Sequence, residues 1–474
     1  MSLDPEDWTT LRRLGHRMLD DMFDHLEQLR SRPVWQPLPD EKRALLRRPL
    51  GAEPVSAEAA YAEFAQLVRP YATGNTHPRF MGWVHGGGTA VGMLAEMLAA
   101  GLNANLGGRD HAPIEVERQV VRWAADLFGF PPDSSGLLVT GTSIANLIGV
   151  LVARTAALGV GVRRDGLGGA RLTAYASAAA HSCVGRALDM AGLGSDALRL
   201  VPVDAQGRLD LPALRDALAR DAAEGCLPFL LVGTAGSVDT GATDDLAALA
   251  GIAAQAGLWF HVDGAFGAMA ALSPSLRPAL LGIERADSIA FDFHKWLQAP
   301  YDCGCILVRD GVRQTATFAQ DAAYLRREAR GLAGGDPWPC DLGPDLSRGF
   351  RALKVWMTLK VHGAAALGEM IDGCCAVARA IAARVDREPG LERVAPVPLN
   401  IVCFRLRADV PDPDRFCRDV VADVQLSGVA APSTTIIGGR TVVRAAIVNH
   451  RTTPADGEAM VDAVLEAVAR RLSP

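Results

Sequence analysis

Nothing in this chain of 474 residues offers a clean apolar run long enough to cross a bilayer. The longest candidate, Leu246 to Val262, carries Gln255, two glycines and His261, and reads as a helix running into a strand. No membrane partner is expected. The opening MSLDPEDW is acidic and lacks the apolar core of a secretory signal. Charge of either sign is also weak. A formal net charge of −6 argues against nucleic acid or an anionic surface as partner. The nine cysteines lack metal-ligand spacing, so no metal site is expected. They read as reduced packing thiols of a cytoplasmic chain. Cys303 and Cys305 share one face of a strand-like run, whereas Cys374 and Cys375 are helix neighbours that point apart. No internal repeat or low-complexity tract is present.

What remains is a long chain with ordinary apolar content, enough for one large domain with attachments. Asp4-Pro5 reads as a helix N-cap and first helical position. Leu11, Leu14, Met18, Leu19, Met22, Leu26 and Leu29 then recur at helical spacing. A loose connection with five prolines spans 31–56, and a second helix is expected from Ala57 to Val68. This arm, residues 1–80, is too small and open to hold a core, so it is expected to pack on a second subunit.

From about residue 80, short β-rich runs alternate with helical ones. The runs are GLLVTG, LTAYAS, LRLVPV, PFLLVGTAG, LWFHVDGA, SIAFD and CGCILVR. Continuous apolar strands separated by helices predict an α/β fold: a mostly parallel, seven-stranded sheet flanked by helices on both faces, over residues 81–350. In such sheets ligands bind beyond the carboxyl ends of the strands. Residues 310–347 lose periodicity and read as a loop over the site. Residues 351–474 form a smaller α/β unit with β-like runs LNIVCFRL and TVVRAAIV and a closing helix Pro454 to Leu472.

Four motifs fall at strand ends. In VTGTSIANL, Thr142 and Ser143 open a helix after Gly141, which makes either an anion site suited to phosphate or simply a well-capped helix. Asp263, ending the strand in HVDGAFG, is costly there unless it meets a cation or donor, such as a protonated ring nitrogen. The alternative reading is a strand-end aspartate that makes a turn. His181, in SAAAHSCVGRA, offers a flat ring to a ligand or is a satisfied core histidine. Lys295, in DSIAFDFHKWL, is an amine beside a packed strand end, either ion-paired or used covalently. Together, a phosphate cradle, a carboxylate, a flat ring and an amine make a socket for pyridoxal 5'-phosphate.

The order HPRF, TGTS.AN, AAAHS, HVDGAFG, HKWL resembles the group II pyridoxal-phosphate-dependent decarboxylases, the fold-type I family of aromatic-amino-acid, glutamate and histidine decarboxylases. The resemblance runs over essentially the whole chain. It implies that Lys295 is the Schiff-base lysine and Asp263 the partner of the pyridine nitrogen. It further implies Ala265 beneath the ring, His181 stacked on the ring and touching substrate, Thr142 and Ser143 at the phosphate, and His294 as the histidine before the lysine. DAAYLRR matches the mobile catalytic loop, with Tyr324 as the proton donor after carbon dioxide leaves. Thr234 and Ser237, in GTAGSVDTGATDD, are further coenzyme-binding candidates. One departure stands out. The family has Asn-Pro where this chain has Asp292-Phe293, and an ionised aspartate cannot donate to phosphate.

The implied activity is decarboxylation of an L-amino acid to its amine by a homodimer with active sites at the interface. Decarboxylation coupled to oxidative deamination, giving an aldehyde, is the alternative, and coenzyme binding without turnover a third reading. For the substrate, HPRFMGWVHGGGTAVG is expected to line the pocket with Trp83 and His85, and its glycines to form a pocket wall rather than a nucleotide loop. LNANLGGRDHAP resembles the stretch contributed by the partner subunit. There Asn105 and Arg109 suit an acidic substrate, unless Arg109 pairs with Asp110 or Glu115. Trp83 favours an aromatic one.

Overall fold

All seven apolar runs become strands of one sheet. They are β1 (Ser135–Val139), β2 (Leu172–Ser177), β3 (Leu198–Val201), β4 (Leu227–Thr234), β5 (Trp259–Asp263), β6 (Ser288–Asp292) and β7 (Gly304–Val308). The computed structural model describes residues 2–320 and 326–473. Strand order is β1-β7-β6-β5-β4-β2-β3. Strands β3, β2, β4, β5 and β6 are mutually parallel, and β7 runs against both its neighbours, β1 and β6. The sheet is therefore mostly parallel, as expected. Strands β2, β5, β6 and β7 are buried along their whole length, because helices cover both faces. That double burial is why they read as unbroken apolar runs.

A second sheet has the order β10-β11-β9-β8, all antiparallel. Its strands are β8 (Leu391–Arg393), β9 (Ile401–Leu406), β10 (Ser433–Ile437) and β11 (Arg440–Ala446). The expected runs are β9 and β11. The edge strands β8 and β10 were not anticipated, since one is very short and the other is only partly buried. A hairpin signal was nevertheless present. Gly438 and Gly439 join β10 to β11 with φ of 57° and 75°, the two positive angles that a two-residue type I′ turn needs.

Three expectations about helices need correction. The first helix, Trp8–Glu27, is capped by Asp7 rather than Asp4. Asp7 accepts from Thr9 N at 2.8 Å and from Thr10 Oγ1 at 2.6 Å, so it satisfies the helix-start donor that Asp4 is too far upstream to reach. The proline-rich 31–56 connection contains a short helix, Asp40–Leu46. The 310–347 segment opens with a helix, Gly311–Phe318, capped by Asp310; its polar composition hid it. Other expectations hold. A helix covers Ala57–Leu67. The helical stretch Ala352–Arg387 breaks at Gly363, where φ is 75°. The closing helix spans Pro454–Leu472 behind a Thr453–Asp456 capping box. All nine cysteines are free, and Cys303, Cys305, Cys374 and Cys375 are buried. Among the described residues no helix is long and apolar enough to cross a membrane.

Candidate active site

The carboxyl ends of β1, β4, β5 and β6 point the same way, so the residues just past them meet. They border a cavity of about 360 Å³ lined by Thr142, Ser143, His181, Thr234, Asp263, Ala265, His294 and Lys295, with Trp83 and His85 on its far wall. Ten of the candidate residues, from six separate chain segments, thus come together.

Asp263 is buried at the end of β5. One carboxylate oxygen accepts from Asn146 Nδ2 at 3.1 Å and the other from Ala265 N at 3.2 Å. Burial raises its pKa, partly offset by the charge of Lys295 and by the Asn146 bond. Beside it, burial pushes the Cys183 thiol up to about 12, so it stays protonated.

Lys295 Nζ lies 2.8 Å from Asp292 Oδ2. Burial pulls the lysine's pKa down, but Asp292, by charge and hydrogen bond, and Asp263 more than offset this, and it ends above the ordinary value. Asp292 is 2% exposed. Its other oxygen accepts from Thr142 N at 2.8 Å, at the N-terminus of the Thr142–Leu158 helix. The carboxylate therefore bridges the helix start and the amine, a double role invisible in the motif alone. His294 accepts from Cys303 N through Nδ1 at 3.0 Å and packs on Tyr301, ring centroids 4.3 Å apart. Burial holds its pKa down, with Asp292 opposing. His181 is exposed on the open side of the cavity, its Nδ1 accepting from Cys183 N at 3.2 Å.

Two buried hydroxyl oxygens facing this space, Thr142 Oγ1 and Thr234 Oγ1, have no hydrogen-bond partner. Buried polar atoms are normally satisfied. One orphan hydroxyl at a helix N-terminus and another at the end of β4 beside Asp263, with an amine and a buried carboxylate, fit an aromatic coenzyme that carries a phosphate, an aldehyde and a ring nitrogen.

Three candidates stand apart from this chain's own cavity, and a fourth is not among the described residues. Ser237 is buried in its own loop, accepting from Ala242 N at 3.2 Å and paired with Thr240 Oγ1 at 3.1 Å. Asn105 accepts from Gly107 N and Arg348 N at 3.0 and 2.9 Å. Arg109 lies over the Trp338 ring, 4.5 Å from its centroid, while Glu115 is held by Arg118 at 2.5 Å. Tyr324 lies outside the described residues.

Of the glycines after His85, none borders the cavity itself. Gly86 packs against the lysine loop: a Cβ there would come within 2.2 Å of His294 O and 2.4 Å of Lys295 O, so only glycine allows this close approach. Sequence reasoning assigned no role to Asn146 or Tyr301. Asn146 had a signal: a lone amide inside the apolar helix SIANLIGVLV. Tyr301 had none.

The family described as "pyridoxal-dependent decarboxylase conserved domain" matches residues 39–407. The chain is 32% identical over 458 residues to the aromatic-L-amino-acid decarboxylase of Bacillus atrophaeus, covering 94% of this chain and 92% of that protein. It is 30% identical over 463 residues to phenylacetaldehyde synthase of Arabidopsis thaliana, covering 94% and 93%. The crystal structure of Oryza sativa TDC with PLP and tryptamine superposes with a TM-score of 0.91 at 27% identity over 100% of both chains. The chain therefore belongs to the pyridoxal-dependent decarboxylase family and is a pyridoxal 5'-phosphate-dependent carboxy-lyase of fold type I.

Proposed function

We propose that this carboxy-lyase converts an aromatic L-amino acid to its amine and carbon dioxide, with Lys295 as the residue that holds the coenzyme's aldehyde carbon. The observation that carries this reading is the amine of Lys295 in the same cavity as the buried Asp263 and the two orphan threonine hydroxyls. When bound, the coenzyme supplies the electron sink for the departing carboxylate. Asp263 would keep a proton on the ring nitrogen, and Ala265 leaves room beneath the ring. Thr142 and Ser143 would hold the phosphate at the helix N-terminus, and Thr234, in register with Asp263, would face the coenzyme from the end of β4. His181, on the open side, would cover the ring and orient the substrate. Tyr324 is proposed to protonate the α-carbon after carbon dioxide leaves, and its loop to exclude water.

The aromatic preference is supported by a wall of stacked rings. Phe80, Trp83 and His85 lie with centroids 5.7 to 6.1 Å apart, and Tyr301 meets His85 edge-on at 5.8 Å.

A homodimer belongs to the same proposal. The helix Ala90–Leu102 exposes Met97, Leu98 and Leu102, and an apolar groove of about 490 Å³ runs past Trp123, Leu127, Leu297 and Leu359. Surface of this kind marks an association face. Light scattering that returns a monomer mass would remove it.

Product analysis with aromatic, acidic and basic L-amino acids tests the activity. Amine and carbon dioxide from aromatic substrates are expected. Aldehyde, ammonia and peroxide would support the alternative that the similarity to phenylacetaldehyde synthase raises. Borohydride reduction followed by peptide mapping is expected to leave the coenzyme on Lys295; label elsewhere would sink that assignment.

A further inference from the structure

Behind Asp263 a file of buried polar groups runs along one face of the sheet. Trp259 Nε1 donates to Ser288 Oγ at 2.8 Å. Ser288 Oγ lies 2.7 Å from His261 Nδ1. His261 Nε2 lies 2.7 Å from Asn146 Oδ1, and Asn146 Nδ2 donates to Asp263 Oδ2. Trp259, His261 and Asp263 alternate along β5, so their side chains share one face. Ser288 is brought alongside because β5 and β6 pair His261 with Ser288. Asn146 comes down from the Thr142–Leu158 helix that covers this face. Gly149 on the same helix leaves the room, since a Cβ there would sit 2.8 Å from His261 Cε1.

The two ends fix the direction of every bond. An indole N–H only donates, and an ionised carboxylate only accepts. Ser288 receives the indole proton and spends its own on His261 Nδ1. His261 therefore carries its proton on Nε2 and donates to Asn146 Oδ1, which turns the Asn146 amide N–H groups toward Asp263. With Asp263 ionised, turning Asn146 round would set an amide oxygen against the carboxylate, acceptor facing acceptor. No charged group faces His261 among the described residues, and burial alone takes its pKa down to about 3, so it stays neutral. The titratable groups facing Asp263 are Lys295, Cys183 and His181.

We propose that His261 is a positioning residue: acting through Asn146, it locks the amide face shown to Asp263 and so holds that carboxylate ionised and aimed into the cavity. The proposal rests on the reading of Asp263 as partner of the coenzyme's ring nitrogen, but its first test needs no coenzyme. In protein labelled with 15N-histidine, His261 is expected to show one neutral Nε2–H tautomer from about pH 5 to about pH 9. Ser288→Ala, which removes the donor to Nδ1, is expected to release the Nδ1–H form. A cationic or Nδ1–H His261 in the wild type would overturn the proposal.

The second test is coenzyme titration. His261→Phe leaves Asn146 free to turn and is expected to weaken coenzyme binding about tenfold or more, the scale of one lost hydrogen bond to a charge. It should also change the pH dependence of the bound coenzyme's absorption. His261→Gln, whose amide can still donate to Asn146, should restore most of both. A folded His261→Phe with wild-type affinity and spectrum refutes the proposal; if that variant does not fold, Ser288→Ala is titrated in its place and read the same way. Failure of the Asp263 reading looks different: the tautomer result would stand while Asp263→Asn bound coenzyme normally.

Discussion

Replacing Asp292 with asparagine keeps the shape of the side chain and removes its charge. The amide oxygen can still accept from Thr142 N, as Asp292 does at 2.8 Å. The amide nitrogen would then face Lys295 Nζ, donor against donor, where a carboxylate oxygen now lies at 2.8 Å. Burial, which opposes the charged amine, is then offset chiefly by Asp263. The sign follows directly. In the wild type the lysine's pKa is raised, so its amine is charged through the neutral range, and only the neutral form attacks an aldehyde. Coenzyme capture should therefore climb with pH well into the alkaline range. In Asp292→Asn the climb should move to lower pH. A contacting opposite charge is worth roughly one to three pKa units, so capture at neutral pH should quicken by about tenfold or more. Stopped-flow absorbance on mixing apo-protein with coenzyme from about pH 6 to about pH 10 reads this, with borohydride trapping as a check. Superimposable profiles, or slower capture by the variant at neutral pH, would refute the reasoning.

Two further outcomes concern the frame around the site. Arg348 and Glu117 form a buried pair, 1% and 4% exposed, with Arg348 also donating to Leu138 O at 2.6 Å and Leu106 O at 2.9 Å. Arg348→Ala strands Glu117 and should destabilise by roughly 3–5 kcal/mol; a thermal melt that moves little would contradict this. Gly304→Ala places a Cβ 2.5 Å from Gly141 Cα and 2.7 Å from Asp292 Oδ1. Coenzyme affinity should fall sharply while far-UV circular dichroism stays near wild type, and unchanged affinity would show that the backbone yields there.

The sheet was legible because a strand buried on both faces must be apolar along its whole length, and the local sequence records that. The same logic made Asp263, Lys295 and the Thr142–Ser143 pair conspicuous: polar groups set where apolar runs stop. Elements that lack a strong apolar period escaped, such as the Gly311–Phe318 helix and the edge strands β8 and β10. Ser237 has the right composition for a ligand residue, yet it turns into its own loop and bonds Ala242 N and Thr240. For Asp292, the chain by itself established only what an ionised carboxylate cannot do.

The amino-acid order determined the fold class, the strand ends and the chemical types gathered there, since those depend on burial patterns a few residues long. Tertiary structure alone decided which groups meet. Asp292 reaches Thr142 across 150 positions, and Asn146 reaches Asp263 across 117. Such partners are set by crossovers and by the β5–β6 register, and no local pattern encodes them.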